Sequence, residues 1–176
     1  MDFITIGYDK SIDRSAFDCE NHTALNAYIA QHASQDEKRN LSRTFLYLEN
    51  GSLRGYYTLA NSAVSLAELS DEMTRKMPRY PMPAVLLSRL AVAREMQGKG
   101  LGNRLIADAF RRVYALSKQS GVAFITVDAK DQYAANFYKN KLGFIPSPPN
   151  PLRLLMPTAS FFPKMARLEA EKAQAD

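Results

Sequence analysis

An apolar run, a cluster of glycines and a long amphipathic segment follow one another between residues 84 and 116, and that order leaves the chain few folds to choose from. Ala84 to Ala93 (AVLLSRLAVA) reads as a buried strand. Gln97-Gly98-Lys99-Gly100-Leu101-Gly102 reads as a short glycine-rich loop. The helix after it has an apolar side of Leu101, Leu105, Ala109, Val113 and Leu116 and a polar side of Arg104, Asp108, Arg111 and Arg112, with Gly121 ending it. The first backbone N–H groups of such a helix have no intrahelical acceptor and face the loop. The helix dipole favours an anion there, and Lys99 and Arg104 add positive charge. Two familiar phosphate loops are excluded: no G-x-x-x-x-G-K-[ST] run exists, and counting G-x-G-x-x-G from Gly98 meets Asn103 where a glycine is required. On these residues alone the loop is either a phosphate cradle or a tight strand–helix turn without a ligand.

The flanking sequence supplies the remaining elements. Phe17 to Ala33 shows a helical period at Leu25, Tyr28, Ile29 and Ala33. Arg43–Glu49 (RTFLYLE) and a run from Arg54 to about Leu66 read as two strands joined by the hairpin signal Asn50-Gly51. Residues 67–77 are polar and suit a short helix or an excursion, and Pro78, Pro81 and Pro83 hold the next segment extended. Val122–Asp128 is a strand, about Asp131 to Asn140 a helix, Gly143 its C′ glycine, Phe144-Ile145 the start of a strand, and Arg153–Met156 the last strand. Antiparallel strands come first and βαβ-like units second, a mixed α/β (α+β) class built on one sheet. A single domain is expected over 1–163, with a polar, Ala-rich tail over 164–176 that is either helical or frayed.

A chain of 176 residues with 46% hydrophobic and 23% charged side chains can fill one core, which excludes wholesale disorder. No apolar run approaches the roughly 18 residues of a spanning helix. MDFITIGYDK lacks the basic and apolar regions of a signal peptide, so no membrane role and a cytoplasmic location are expected. The only cysteine, Cys19, excludes an internal disulfide and reads as a small buried thiol. The net charge of +5 is uneven: residues 1–37 carry two basic and seven acidic side chains, and residues 38–164 carry 19 basic and eight acidic. That basic body, net +11, suits either ordinary solubility or a polyanionic partner. His22 and His32 read as surface residues; no spacing suggests a metal.

The glycine pattern does not stand alone. Gln97, Gly100 and Gly102 follow a buried strand, and Ala134-Ala135-Asn136-Phe137-Tyr138 with Leu142-Gly143-Phe144 comes about 35 residues later. The pair resembles the GCN5-related N-acetyltransferase (GNAT) family. Phe17-Asp18-Cys19, Gly55-Tyr56-Tyr57-Thr58-Leu59, and Pro78–Pro83 before Leu87–Val92 extend the match to roughly residues 15–157. Together they resemble the GNAT toxins of bacterial toxin–antitoxin modules. The resemblance implies a twisted, mostly antiparallel sheet with helices on both faces. It implies acetyl-CoA as co-substrate and no metal. The pyrophosphate is then held by Gln97, Gly98, Lys99, Gly100, Leu101 and Gly102. A bulged strand at Leu90, Ala91 and Val92 offers backbone groups to the pantetheine arm, and the next strand splays away.

The resemblance also implies the chemistry. Tyr138 is the expected general acid, since a phenol with a pKa near 10 stays protonated and can reprotonate a departing thiolate; the competing reading is a packed helical aromatic. Asn136 reaches the pantetheine or is simply exposed, and Phe137 and Phe144 are assigned to the core. Arg89, charged within an apolar strand, faces a cleft and substrate phosphates or else makes a structural ion pair. No strong general base is evident, which favours an α-amine acceptor of pKa near 8 over a lysine. The expected reaction is direct acetyl transfer to the α-amino group of aminoacyl-tRNA, through a tetrahedral intermediate and without an acyl-enzyme, blocking translation. Candidate RNA-binding residues are Lys38, Arg39, Arg75, Lys76, Arg79, Arg89 and Arg94. The implied partners are a ribbon-helix-helix antitoxin and a second copy of the chain. The alternatives are acetylation of a protein or small-molecule amine, or an inactive acyl-CoA-binding module.

Overall fold

A computed structural model describes residues 2–175 of the chain. Its elements run β1 (Ile6–Gly7), α1 (Thr23–Ala27), a π-helical turn (Tyr28–His32), α2 (Ala33–Lys38), β2 (Arg43–Glu49), β3 (Ser52–Val64), α3 (Asp71–Thr74), β4 (Met82–Val92), α4 (Leu101–Ser117), β5 (Phe124–Asp128), α5 (Gln132–Leu142), β6 (Ile145–Ser147), β7 (Asn150–Pro157) and α6 (Phe162–Ala175). Short 3-10 turns precede α3, α4 and α6. The strands form a seven-stranded sheet in the order β1-β2-β3-β4-β5-β7-β6. The pairs β1–β2, β2–β3, β5–β7 and β6–β7 are antiparallel, and β4–β5 is parallel. The mixed, mostly antiparallel sheet read from the sequence is therefore observed.

The backbone groups into two compact units. One reaches to Ala60 and includes Leu87–Arg112; the other comprises Asn61–Leu86 and the residues from Val113 onward. In the first, β2 and β3 meet through Asn50 (φ 52°) and Gly51 (φ 76°), the doubly left-handed turn that an Asn-Gly hairpin requires. Its core gathers Phe17, Cys19, Tyr28, Ile29, Leu46, Tyr56 and Ala91. In the second, the core is Val64, Leu69, Met82, Ala84, Phe124 and Leu155. The β4–β5 register there covers Ala84–Leu86 against Phe124–Thr126, while β5 continues to Asp128 paired with β7.

Four assignments change. The first helix begins at Thr23, not near Phe17. Asp18 accepts from the Glu20 N–H and Asn26 Nδ2, and Asn26 accepts from the Cys19 N–H, so these short side chains hold a turn instead. Asp108 is wholly buried rather than on a polar side. It accepts from the Ile4 N–H (2.7 Å), the Thr5 hydroxyl and the Tyr57 hydroxyl (2.7 Å), with Arg112 at 3.5 Å. Leu116, assigned to the apolar side, is 40% exposed, and α4 stops at Ser117, where i→i−3 bonds tighten the chain well before Gly121. Phe137, assigned to the core, is 36% exposed, because the buried side of α5 is set by Ala135 and Tyr138.

The Asp108 cluster ties the N-terminal segment to β3 and α4 through one shared acceptor side chain. Asp108→Asn keeps the volume but points an amide NH2 at hydroxyl or amide donors. Urea titration should show a loss of about 1–3 kcal/mol. An unchanged midpoint would mean that these donors find other acceptors.

The polar tail forms α6 from Phe162 onward. Tyr114 and Phe162 meet edge to face at 5.3 Å, Lys118 pairs with Glu169, and Met165 is buried.

Candidate active site

The glycine loop lies wholly in the first unit. Its base is tied down on both sides: the Ala93 N–H donates to the Arg54 carbonyl (2.8 Å) and the Arg94 N–H to the Asp18 carbonyl (2.9 Å). The Gln97 side-chain amide donates to the carbonyls of Val92 (3.1 Å) and Cys19 (3.2 Å). Gln97, expected to touch the cofactor, thus spends its side chain on shaping the loop. Gly98 and Gly100 have φ of 71° and 82°, with Lys99 between them at negative φ. Such alternation turns successive N–H groups towards one concave side, a nest for anions. Among the described residues the N–H groups of Gly98, Lys99 and Gly100 donate no backbone hydrogen bond.

α4 begins at Leu101, so Leu101 and Gly102 belong to its first turn, not to the loop. Leu101 is buried, leaving only its backbone to face a ligand. The donors therefore come from a nest followed directly by a helix N-terminus, and a diphosphate fits that set. Leu90 and Val92 at the end of β4 are half-buried and Ala91 is buried.

Arg89 makes no ion pair with a carboxylate among the described residues. Its guanidinium lies 3.7 Å from the centroid of the Tyr28 ring, a cation–π contact. Tyr28 sits in the π-helical turn, donates to Asp36 and meets the Ser42 hydroxyl at 3.2 Å. Burial raises its phenol pKa. The Tyr28–Arg89 pair was not legible in the sequence, since only the folded register brings the two together.

The second unit holds Asn136 and Tyr138 on α5. Asp131 caps this helix by accepting the Ala134 N–H (2.8 Å), and Gly143 ends it at φ 77°. Tyr138 is half-buried, with the Phe137 and Phe144 rings each 5.5 Å away, edge to face. Burial pushes its phenol up from 10.0 to about 12. Its hydroxyl makes no hydrogen bond among the described residues, so the proton is held and uncommitted. Asn136 is exposed, and its Oδ1 accepts from Gln132 Nε2 (2.8 Å).

The basic candidates separate by unit. Lys38 and Arg39 are exposed at the C-terminal end of α2, and Arg94 reaches Glu20 at 3.5 Å, all in the first unit with Arg89. Arg75, Lys76 and Arg79 are exposed between α3 and β4 in the second. No described helix is long and apolar enough to cross a membrane, and no group of three or more His, Cys, Asp or Glu among the described residues could hold a metal ion.

Comparison with known proteins gives the family. The model of the acetyltransferase (GNAT) family matches residues 10–144. A tRNA-acetylating toxin of Mycobacterium tuberculosis is 36% identical over 133 residues, 76% of this chain and 79% of the toxin. The structure of AtaT complexed with acetyl-methionyl-tRNAfMet has a TM-score of 0.82 and 33% identity, over 91% of this chain and 97% of that one. A tyrosine-to-phenylalanine mutant of the AtaT toxin, bound to the C-terminus of the antitoxin AtaR and acetyl-CoA, has a TM-score of 0.75 and 30% identity over 91% of this chain and 96% of that one.

Proposed function

This chain belongs to the GNAT acetyltransferase family, and from that premise we propose that it moves the acetyl group of acetyl-CoA onto the α-amino group of aminoacyl-tRNA, blocking translation as a toxin. The observation that carries this reading is the likeness, over 91% of the chain, to a toxin solved with its acetylated aminoacyl-tRNA.

Acetyl-CoA supplies the thioester. The N–H groups of Gly98, Lys99, Gly100, Leu101 and Gly102 hold its diphosphate, Lys99 adds charge, and Gln97 keeps the loop in shape. The backbone of Leu90, Ala91 and Val92 carries the pantetheine arm, with Asn136 as a further polar contact. The acceptor amine, with a pKa near 8 or below, is partly neutral at neutral pH and attacks without a protein base; the C–N bond forms and the C–S bond breaks, and the nitrogen gives its surplus proton to water. Tyr138 gives its phenolic proton to the departing thiolate and recovers one from solvent.

Lys38, Arg39, Arg75, Lys76, Arg79, Arg89 and Arg94 serve the RNA backbone. For a phosphate contact, Arg79→Glu should weaken aminoacyl-tRNA binding at every sequence and lower the salt slope by about one. An unchanged slope in a filter-binding titration would remove Arg79 from that surface. The partners are an acidic segment of a ribbon-helix-helix antitoxin made alongside the chain and a second copy of the chain, in the cytoplasm. Co-expression with the adjacent small protein should restore growth.

The test of the reading is mass spectrometry of the tRNA pool after induction. Acetylated aminoacyl ends on tRNA are expected. Acetyl groups found only on protein or small amines would replace this reading with the corresponding acetyltransferase.

A further inference from the structure

α5 buries one face and turns another towards solvent. Tyr133 is 85% exposed and Phe137 36% exposed, one helical turn apart. Lys141, also exposed, lies one turn further along the same face. An exposed aromatic pair gains nothing by facing water, and a cap at each end already stabilises the helix. Phe137 is in ring contact with Tyr138, so this stripe lies directly beside the group proposed to deliver the proton.

From this arrangement we infer that Tyr133 and Phe137 form a stacking shelf for an unpaired base at the acceptor end of the aminoacyl-tRNA, with Lys141 beside it for the backbone. The inference rests on the proposed function. The reacting ester sits on the terminal ribose, so an unpaired base must come to rest within about one nucleotide of the chemistry. Aromatic faces take any base, and a cation at the end of the stripe complements the phosphate. An apolar protein segment would cover the aromatics equally well but draws no benefit from Lys141.

The experiment compares wild type, Tyr133→Ala and Tyr133→Phe in steady-state acetylation of aminoacyl-tRNA, alongside acetyl-CoA affinity and oligomeric state by sedimentation. Tyr133→Ala should raise KM for aminoacyl-tRNA about 5- to 150-fold, the usual value of one stacked base. Acetyl-CoA affinity should not change, and Tyr133→Phe should stay near wild type because it keeps the ring. On a chemically aminoacylated acceptor-end RNA lacking its terminal base, wild type should lose as much, and Tyr133→Ala should lose nothing more. A wild-type KM for Tyr133→Ala overturns the inference, as does a changed oligomeric state with unchanged KM, which would make the stripe a protein interface. If wild type acetylates no aminoacyl-tRNA, the proposed function itself fails, which is a separate result.

Discussion

Tyr138→Phe should lower kcat by about 10²–10⁴ while leaving acetyl-CoA affinity close to wild type. The substitution keeps the ring, so the edge-to-face contacts with Phe137 and Phe144 survive and only the hydroxyl is removed. That hydroxyl bonds to nothing among the described residues, so its loss strands no partner and should cost little stability. The pH profile provides a second readout. Burial holds the phenol near 12, so Tyr138 stays protonated throughout the working range. The rising limb of the rate with pH should reflect the acceptor amine, and its position should be the same in wild type and variant. Near wild-type turnover would make Tyr138 a packing residue. A loss of acetyl-CoA affinity would extend its role beyond the chemical step.

Gly102→Asp should abolish detectable acetyl-CoA binding in calorimetry and leave the fold intact. A Cβ at this position would meet only Val92 Cγ2, at an ordinary 3.8 Å, so the backbone tolerates a side chain. An acidic residue in the first turn of a helix is mildly stabilising through the dipole. Neither strain nor unfolding therefore accounts for a loss. What remains is a carboxylate placed where a diphosphate must approach. Gly100→Asp should also lose binding, but Gly100 has φ 82°, and a side chain there adds about 1–2 kcal/mol of backbone cost. Gly102 is therefore the cleaner probe. Retained affinity in Gly102→Asp would move the diphosphate away from this loop.

Much of this arrangement was legible in the residues, because the strongest signals are local. Asn50-Gly51 and Gly143 act through their own backbone geometry, and the turn and the helix end formed where they stand. The glycine loop was visible for the same reason. What escaped depends on distant partners. Asp108 looked like a surface charge, yet Leu101, Leu105, Asp108 and Arg112 fall on one helical face by spacing alone. Its chemical type outweighed its position, and the donors of Ile4, Thr5 and Tyr57 with the Arg112 guanidinium explain a buried acid side chain there. The same spacing separates Phe137 from Tyr138, whose face is shared with Ala135; assigning Phe137 to the core put hydrophobicity ahead of periodicity. The bonds of the Gln97 side chain were not legible either, since the carbonyls of Cys19 and Val92 reach it only after folding.

The acceptor proposed for this chain is the α-amine of an aminoacyl ester carried on RNA. Its most direct test incubates the purified chain with labelled acetyl-CoA and either charged or uncharged tRNA, at low and high salt. Label is expected on charged tRNA alone, lost when the ester is hydrolysed, at a rate that falls steeply as salt rises. Equal labelling of charged and uncharged tRNA, or labelling of neither, would contradict it.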